Sequence, residues 1–193
     1  MKHAFESIAI IAVSCLALAS CATGPVTRAN ASTASASQIT RDSRAALRGL
    51  YQSDAGARSL GNRAKAVLVF PAITKAGFGI GGMAGNGAMI GADGSNRGYY
   101  QTAGLSYGLQ AGVQQYGYAL FLMNKEARRH LDQSNGWEIG SNPSVVVVDT
   151  GMARSLSTTT LDKQAYAVFF NQRGLMAGLG LQGSKVTRIK PGQ

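Results

Sequence analysis

Glycine alternates with larger residues through the middle of the chain, and this pattern constrains the fold more than any other feature of the sequence. Thirteen of the 25 glycines lie between Gly77 and Gly117. In the second half of the run Tyr99–Val113, apolar residues occupy every second position. A period of two is typical of a β-strand, and repeated glycine permits the bends of a tightly curved sheet. We therefore expect a strongly curved, glycine-rich antiparallel β-sheet or a barrel-like body.

The same period predicts further strands on both sides of this run. They are Val67–Phe70, which we expect to end at Pro71, Gly77–Gly81, Gly85–Ile90 before a turn at Asp93–Gly94, Tyr118–Met123, Ser144–Val148, Ala165–Phe170 and Leu175–Lys190. Gln172–Gly174 is predicted to form a hairpin turn between the last two strands. A short helix is expected over Asn124–His130.

The segment that precedes the strands has helical periodicity. From Ile39 to Tyr51 the apolar residues fall on one helical arc, with a stripe of three arginines about 60° wide beside it. These arginines are Arg41, Arg44 and Arg48. A second helix is expected to start at Ser53 or Asp54 and to run toward Lys65. Helices followed by antiparallel strands predict an α+β fold in which the N-terminal helices pack on the sheet.

The first 21 residues have the pattern of a bacterial lipoprotein signal. The apolar stretch Ile8–Leu18 is too short for a transmembrane helix, which needs about 20 residues. Leu18-Ala-Ser-Cys21 resembles the lipobox, which implies a signal peptide over residues 1–20 and acylation at Cys21, with palmitate as the expected acyl group. In such lipoproteins Ala22 after the cysteine, instead of Asp, implies a lipid anchor in the outer membrane of the bacterial cell envelope. The alternative is an ordinary signal peptide in which Cys21 is incidental.

The residues after Cys21 have the composition of a linker. Residues 22–38 are rich in Ala, Ser and Thr, carry Arg28 as their one charge, and show no hydrophobic period. A flexible tether of this length reaches roughly 20–25 Å. We therefore expect an acylated cysteine and tether over residues 21–38, and one folded domain over residues 39–193.

Positive charge is concentrated at the start of this domain. The chain carries 19 basic and 9 acidic residues, and the stretch Arg28–Lys75 contains eight of the basic residues but two acidic ones. Such a stretch is either a solvated face or a contact for anionic lipid, worth about 1 kcal/mol per basic group near the surface. Nucleic acid is a common partner of strongly basic domains. We expect none here, because an exported lipoprotein rarely meets nucleic acid and the sequence contains no recognition motif.

Few residues in the sequence are suited to catalysis or to binding a metal. Two histidines and nine scattered carboxylates show no metal-ligand spacing. Gly77-x-Gly79-x-x-Gly82 matches a dinucleotide-binding motif, and Gly104-x-Ser106-x-Gly108 matches a nucleophile elbow. Both motifs require a turn from a strand into a helix, but here both lie within strand patterns. We therefore expect a protein that is not an enzyme and that has no metal and no cofactor.

Several blocks of the β region resemble the SYLF domain, also called the Ysc84-type actin- and lipid-binding domain. They occur in the family's order from about Ala45 to Ile189, and they are Val67-Leu-Val-Phe-Pro71, Ile73-Thr-Lys-Ala-Gly-Phe78, the glycines to Gly87, Gly104–Gln114, Gly136-Trp-Glu-Ile-Gly140 and Gly174–Ser184. The resemblance implies a non-enzymatic lipid-binding module. Eukaryotic members bind phosphoinositides through an N-terminal amphipathic helix and basic residues, and some also bind actin.

The resemblance places Lys75 on the family's basic position and the arginine stripe in the membrane-binding helix. Candidate lipid-binding residues are therefore Arg41, Arg44, Arg48, Arg58, Arg63, Lys65 and Lys75. The lipobox makes anionic bacterial phospholipids, such as cardiolipin or phosphatidylglycerol, the expected partner. The rival hypothesis is an envelope structural or interaction protein whose β body binds another protein.

Overall fold

A computed structural model of the chain describes residues 34–133, 137–139, 145–148, 164–174 and 184–192. The elements are α1 (Ala36–Ser53), α2 (Ala55–Arg63), β1 (Ala66–Gly91), β2 (Asn96–Leu122), α3 (Lys125–Gln133), β3 (Trp137–Ile139), β4 (Val145–Val148), β5 (Ala165–Gly174) and β6 (Ser184–Ile189). The predicted signal peptide, Cys21 and most of the predicted tether lie outside the described residues. Among the described helices, none has the length and apolar character needed to cross a membrane.

Both N-terminal helices begin at a capping side chain. The Oγ of Ser35 accepts a hydrogen bond from the backbone N–H of Gln38, at 3.3 Å. Helix α1 therefore starts three residues before the predicted Ile39, inside the segment assigned to the tether. Asp54 follows α1 and caps α2, since its Oδ1 accepts from the N–H groups of Gly56 and Ala57 at 2.8 and 3.1 Å. The second helix thus starts where the sequence predicts.

Strands β1 and β2 form one long antiparallel hairpin, closed by a turn at the predicted Asp93–Gly94. Gly94 has a φ of 76°, a conformation that glycine adopts readily. The predicted strand end at Pro71 is wrong, because β1 continues through it with a shift in register between Phe70 and Ile73. Proline has no N–H to donate, and such a bulge accommodates it within a strand.

The hairpin is strongly curved. Ile73 pairs with Tyr116, and Met83 lies ten positions further along β1, about 33 Å away if the strand were straight. The Oη of Tyr116 nevertheless lies 3.8 Å from the Sδ of Met83. The hairpin therefore curls back on itself, although the pairings of the described strands do not close it into a barrel.

Strand β2 is the central strand of a six-stranded sheet. One edge pairs with β1, and the other pairs with β6 over residues 99–104 and with β5 over residues 114–122. Strand β3 pairs with β6 antiparallel, and β4 pairs with β5 in parallel. The sequence predicts an antiparallel sheet, and the β4–β5 pair is the exception among the described strands.

The hairpin turn predicted at Gln172–Gly174 is wrong, because these residues belong to β5. In the described residues, β5 and β6 each pair with β2 and not with each other. The local sequence signal for a turn coincides with a positive φ at Asn171 (52°) and Gly174 (106°), which the strand accommodates beside a register shift against β2. Residues 175–183, the first part of the predicted strand Leu175–Lys190, lie outside the described residues.

Apolar side chains are buried on both faces of the sheet. Helices α1 and α2 cover one face, where Leu50 and Leu60 pack with Val69 and Phe121. Helix α3 packs on the opposite face through Ala127 and Leu131. We call the face under α1 and α2 the helix-covered face, and the face that packs on α3 the inner face of the hairpin. The α+β class with N-terminal helices on the sheet is confirmed.

Candidate functional site

A cavity of about 340 Å³ lies where α1, α2 and the two ends of β1 meet. Helix α1 ends there, the chain turns into β1 there, and the β1–β2 turn lies at the same edge of the sheet. The lining residues are Leu47, Tyr51, Gly61, Asn62, Ala64, Ala66, Val67, Ile90, Gly91, Ala92 and Gly94. Most of them are apolar or small, as in pockets that accept organic ligands.

Tyr51 is the largest side chain in the cavity wall. Its ring centroid lies 6.5 Å from that of Phe121, and burial raises the pKa of its hydroxyl to about 12. The ring lies against Gly61, where an added Cβ would overlap the Tyr51 hydroxyl. A glycine at this position of α2 is thus required for Tyr51 to lie where it does.

Three of the predicted lipid-binding cations contact a residue of this cavity or are next to one in sequence. The guanidinium of Arg44 donates to the carbonyl oxygen of Gly94, at 2.9 Å. Arg48 is exposed and follows the cavity residue Leu47, and Lys65 is exposed between two cavity residues, Ala64 and Ala66. Most residues of the cavity wall are therefore apolar or small, and the guanidinium of Arg44 lies beside the wall residue Gly94.

The remaining three cations of the helices, like Arg44, donate hydrogen bonds to uncharged groups. Arg41 donates to the side-chain oxygen of Gln38 at 2.6 Å, and Arg58 donates through Nε to the backbone carbonyl of Tyr51 at 2.9 Å. Arg63 donates to the Oγ of Ser59 at 3.1 Å. Arg58 satisfies a carbonyl near the C-terminal end of α1, so it also stabilises the junction between the helices.

None of these six cations has a carboxylate partner among the described residues. The ion pairs found there are Arg97–Asp93, Arg128–Asp132 and Arg188–Asp132. The cations of α1 and α2 and Lys65 therefore form no ion pair with the described part of the protein. We use the name basic helical face for the surface that carries Arg41, Arg44, Arg48, Arg58, Arg63 and Lys65. Five of the six are exposed, and Arg63 is half-buried, with its Nη1 enclosed.

Lys75 does not belong to the basic helical face. It is 2% exposed, pairs with Gln114 across the β1–β2 hairpin, and lies on the inner face two positions after the buried Ile73. Its predicted role as a contact for a membrane surface is therefore wrong. The strand's alternation decides the side on which it lies, and the curvature of the hairpin encloses that side.

The two sequence motifs that suggest catalysis or cofactor binding lie within strands. Gly77–Gly82 is part of β1, and Ser106 is part of β2, so neither opens a helix. Among the described residues there is no cluster of three or more metal-ligating side chains. The expectations that the protein is not an enzyme and binds no cofactor or metal stay predictions.

A cavity with mostly apolar and small lining residues, near cations that lack carboxylate partners among the described residues, is consistent with a binding role. Residues 103–190 match the family model described as Ysc84, Las17-binding protein actin regulator, which agrees with the resemblance of this region to SYLF domains. The match runs from within β2 to the residue after β6, and the cavity and the basic helical face lie before it. No curated protein matches the chain.

Proposed function

We propose that the basic helical face binds anionic phospholipid and that the protein is a lipoprotein anchored at Cys21 in the bacterial outer membrane. The observation that carries the proposal is the set of six cations without carboxylate partners beside an apolar cavity. Each basic group near an anionic surface contributes about 1 kcal/mol. Five of the six are exposed, so together they would contribute about 5 kcal/mol to binding.

The cavity favours lipid over a simple polyanion. Most of its lining residues are apolar or small, the guanidinium of Arg44 contacts the lining residue Gly94, and the exposed Lys65 lies between two lining residues in sequence. A phospholipid combines an anionic head group with apolar chains, and therefore matches both parts of this surface. Electrostatic attraction is screened beyond about 10 Å at 0.1 M salt, so the face has to lie on the membrane.

The proposed tether would bring this face to the membrane. Helix α1 starts at Ala36, so the tether would comprise residues 22–35 and would reach roughly 19–22 Å as a flexible chain. A domain held this close to a membrane meets its lipids at a high effective concentration. Weak contacts on the basic helical face are then sufficient.

The experiment is co-sedimentation of the Cys21→Ser chain with vesicles of phosphatidylglycerol or of phosphatidylcholine. We expect a preference for phosphatidylglycerol that falls as salt rises, because surface charge pairs are screened. The triple variant Arg41→Glu, Arg44→Glu and Arg48→Glu should bind phosphatidylglycerol at least about 100-fold more weakly, because it loses three groups at about 1 kcal/mol each and adds three repelled carboxylates.

A matched control carries the same change in charge on another part of the surface. Arg173, Lys185 and Lys190 are exposed and lie on or after the last two strands. Their replacement by Glu should weaken binding far less than the α1 triple variant. Equal losses for both triple variants, or equal binding to both lipids, would contradict the proposed face.

The second candidate function is binding of an envelope protein by the β body. Leu105 and Val113 are 60% and 57% exposed on β2, between the stretches that pair with β6 and β5. Cross-linking of envelopes in a Cys21→Ser background tests it. A partner that is captured by the Cys21→Ser chain and lost on Leu105→Ser with Val113→Ser would favour this function.

The family description names Las17 binding and actin regulation. We do not extend either to this chain, because the lipobox pattern of residues 18–21 predicts export to a bacterial envelope.

A further inference from the structure

The inner face of the hairpin contains a buried cation that the proposed lipid surface does not use. The Nζ of Lys75 is buried and has no hydrogen-bond partner among the described residues. Gln114, its cross-strand neighbour, is 6% exposed, and its Oε1 also lacks a partner there. Two unsatisfied polar groups thus stand opposite each other on one strand pair.

The surroundings of this pair are apolar. Ile73 and Tyr116 form a directly neighbouring cross-strand pair and are 1% and 2% exposed. Met83 lies against the Tyr116 hydroxyl because the hairpin curls. An ammonium group in such surroundings is costly to bury unless it meets an anion and its protons are hydrogen-bonded.

The carboxylates of the described residues are placed elsewhere. Asp54 caps α2, Asp93 pairs with Arg97 in the β1–β2 turn, and Asp132 contacts Arg128 and Arg188. Asp42 accepts from Gln38 on α1, and Glu126 is exposed on α3. None of these five carboxylates forms a salt bridge with Lys75.

We propose that Lys75 and Gln114 form an anion site inside the curled hairpin that takes the carboxylate or phosphate group of an amphiphile. The ammonium group of Lys75 donates to the anionic oxygens. The Oε1 of Gln114 accepts from that ammonium group or from a hydroxyl of the ligand. Ile73, Met83 and Tyr116 contact the apolar part, and this site is independent of the basic helical face.

The test measures thermal unfolding and titration calorimetry of the Cys21→Ser chain with four probes. Oleate below its micelle-forming concentration and lysophosphatidylglycerol should both raise the unfolding temperature, while oleyl alcohol, which lacks the anion, should not. Inorganic phosphate separates a free anion from a lipid head group. A shift with phosphate as large as with the two amphiphiles would contradict the amphiphile assignment.

Two variants locate the site. Lys75→Met keeps the chain length and removes the charge, so binding of oleate should weaken at least tenfold. Gln114→Glu places a carboxylate opposite Lys75, and should raise the unfolding temperature without ligand while abolishing the oleate shift. This second variant keeps the test decisive if Lys75→Met does not fold.

The α1 triple variant separates this site from the proposed membrane surface. It should keep the oleate shift even though it loses binding to phosphatidylglycerol vesicles. If no amphiphile shifts unfolding and Glu138→Gln, Asp149→Asn or Asp162→Asn destabilises the chain as Lys75→Met does, the partner of Lys75 is a carboxylate of the chain itself. That result would overturn the anion site.

Discussion

Basic residues are exposed to solvent on one side of the sheet and buried on the other. On the helix-covered side, Arg44 and Arg48 project from α1 into solvent, and their apolar neighbour Leu47 is buried. On the inner face of the hairpin, Lys75 is buried itself, beside Ile73. A helix can separate its apolar and charged side chains around its circumference, whereas a strand can only alternate them between two faces. Where both faces of a strand are covered, a charged residue is enclosed whichever way it points.

Each face of β2 contributes to a buried core of its own. Leu120 and Phe121 are adjacent, are both fully buried, and belong to the inner face and the helix-covered face respectively. Leu120→Ala should lower the free energy of unfolding by about 2–5 kcal/mol and Phe121→Ala by about 3–5 kcal/mol, measured by urea denaturation. Leu105→Ala, at an exposed position of the same strand, should change it by less than about 0.5 kcal/mol. If Leu120→Ala or Phe121→Ala leaves the free energy of unfolding unchanged, the face that carries the substituted residue is not part of a core.

A smaller loss of stability is expected at Ser43, whose side chain links two distant parts of β1 on the helix-covered face. The buried Oγ of Ser43 donates to the carbonyl of Val69 and accepts from the N–H of Ala88, both at 3.1 Å. Ser43→Ala leaves both backbone groups without this partner and should cost about 1–3 kcal/mol of unfolding free energy.

The control for Ser43 is the exposed Ser53 at the end of the same helix, whose alanine variant should differ from the parent by less than about 0.5 kcal/mol. Equal stabilities of the two variants would show that this connection does not stabilise the curled hairpin.

Two glycines on the helices test the wall of the cavity. An added Cβ at Gly61 would overlap the hydroxyl of Tyr51, whereas nothing lies within 4 Å of one added at Gly49. Gly61→Ala should destabilise the protein by about 1 kcal/mol net, since overpacking costs about 1–3 kcal/mol and the gain in helix propensity is about 1 kcal/mol.

Gly49→Ala should instead stabilise the protein by about 0.5–1 kcal/mol, measured under the same conditions in urea. A stabilising Gly61→Ala would mean that Tyr51 leaves the cavity wall at little cost.

The smallest predicted effect is a loss of stability at alkaline pH. Burial raises the pKa of Tyr51, on the helix-covered face, and of Tyr116, on the inner face, to about 12. In the unfolded chain tyrosine titrates near pH 10, so the unfolded state loses protons first and stability falls between about pH 10 and pH 12.

Unfolding temperatures measured from pH 9 to pH 11 should therefore decline less steeply for Tyr51→Phe and for Tyr116→Phe than for the parent. If one variant keeps the parent's slope, the hydroxyl on that face titrates as it does in water.

Much of the local structure follows from short-range sequence signals. The helical arc after Ile39, the cap at Asp54 and the turn at Asp93–Gly94 all lie where periodicity and capping chemistry predict them. The continuation of β1 through Pro71 could not be predicted locally, because a bulge is stabilised by the pairing of β2 along both of its sides.

The candidate site was predicted in part. Arg41, Arg44 and Arg48 form an exposed stripe beside a buried arc, as the helical period predicts. The cavity has no sequence signal, since its wall combines α1, α2 and both ends of a strand 26 residues long. The two ends of β1 come together because the hairpin curves, and a short stretch of sequence does not predict that curvature.

The sequence alone determined the alternation of β1 and β2, the two helices with their caps, and the concentration of charge near the N-terminal end of the domain. The tertiary structure decided which of these charges meet solvent. Alternation places Lys75 and Ile73 on the same side of β1, but whether that side is enclosed depends on the hairpin curling until Met83 meets Tyr116. Burial is a property of contacts between distant residues, so one lysine among eight neighbouring basic residues became an interior group.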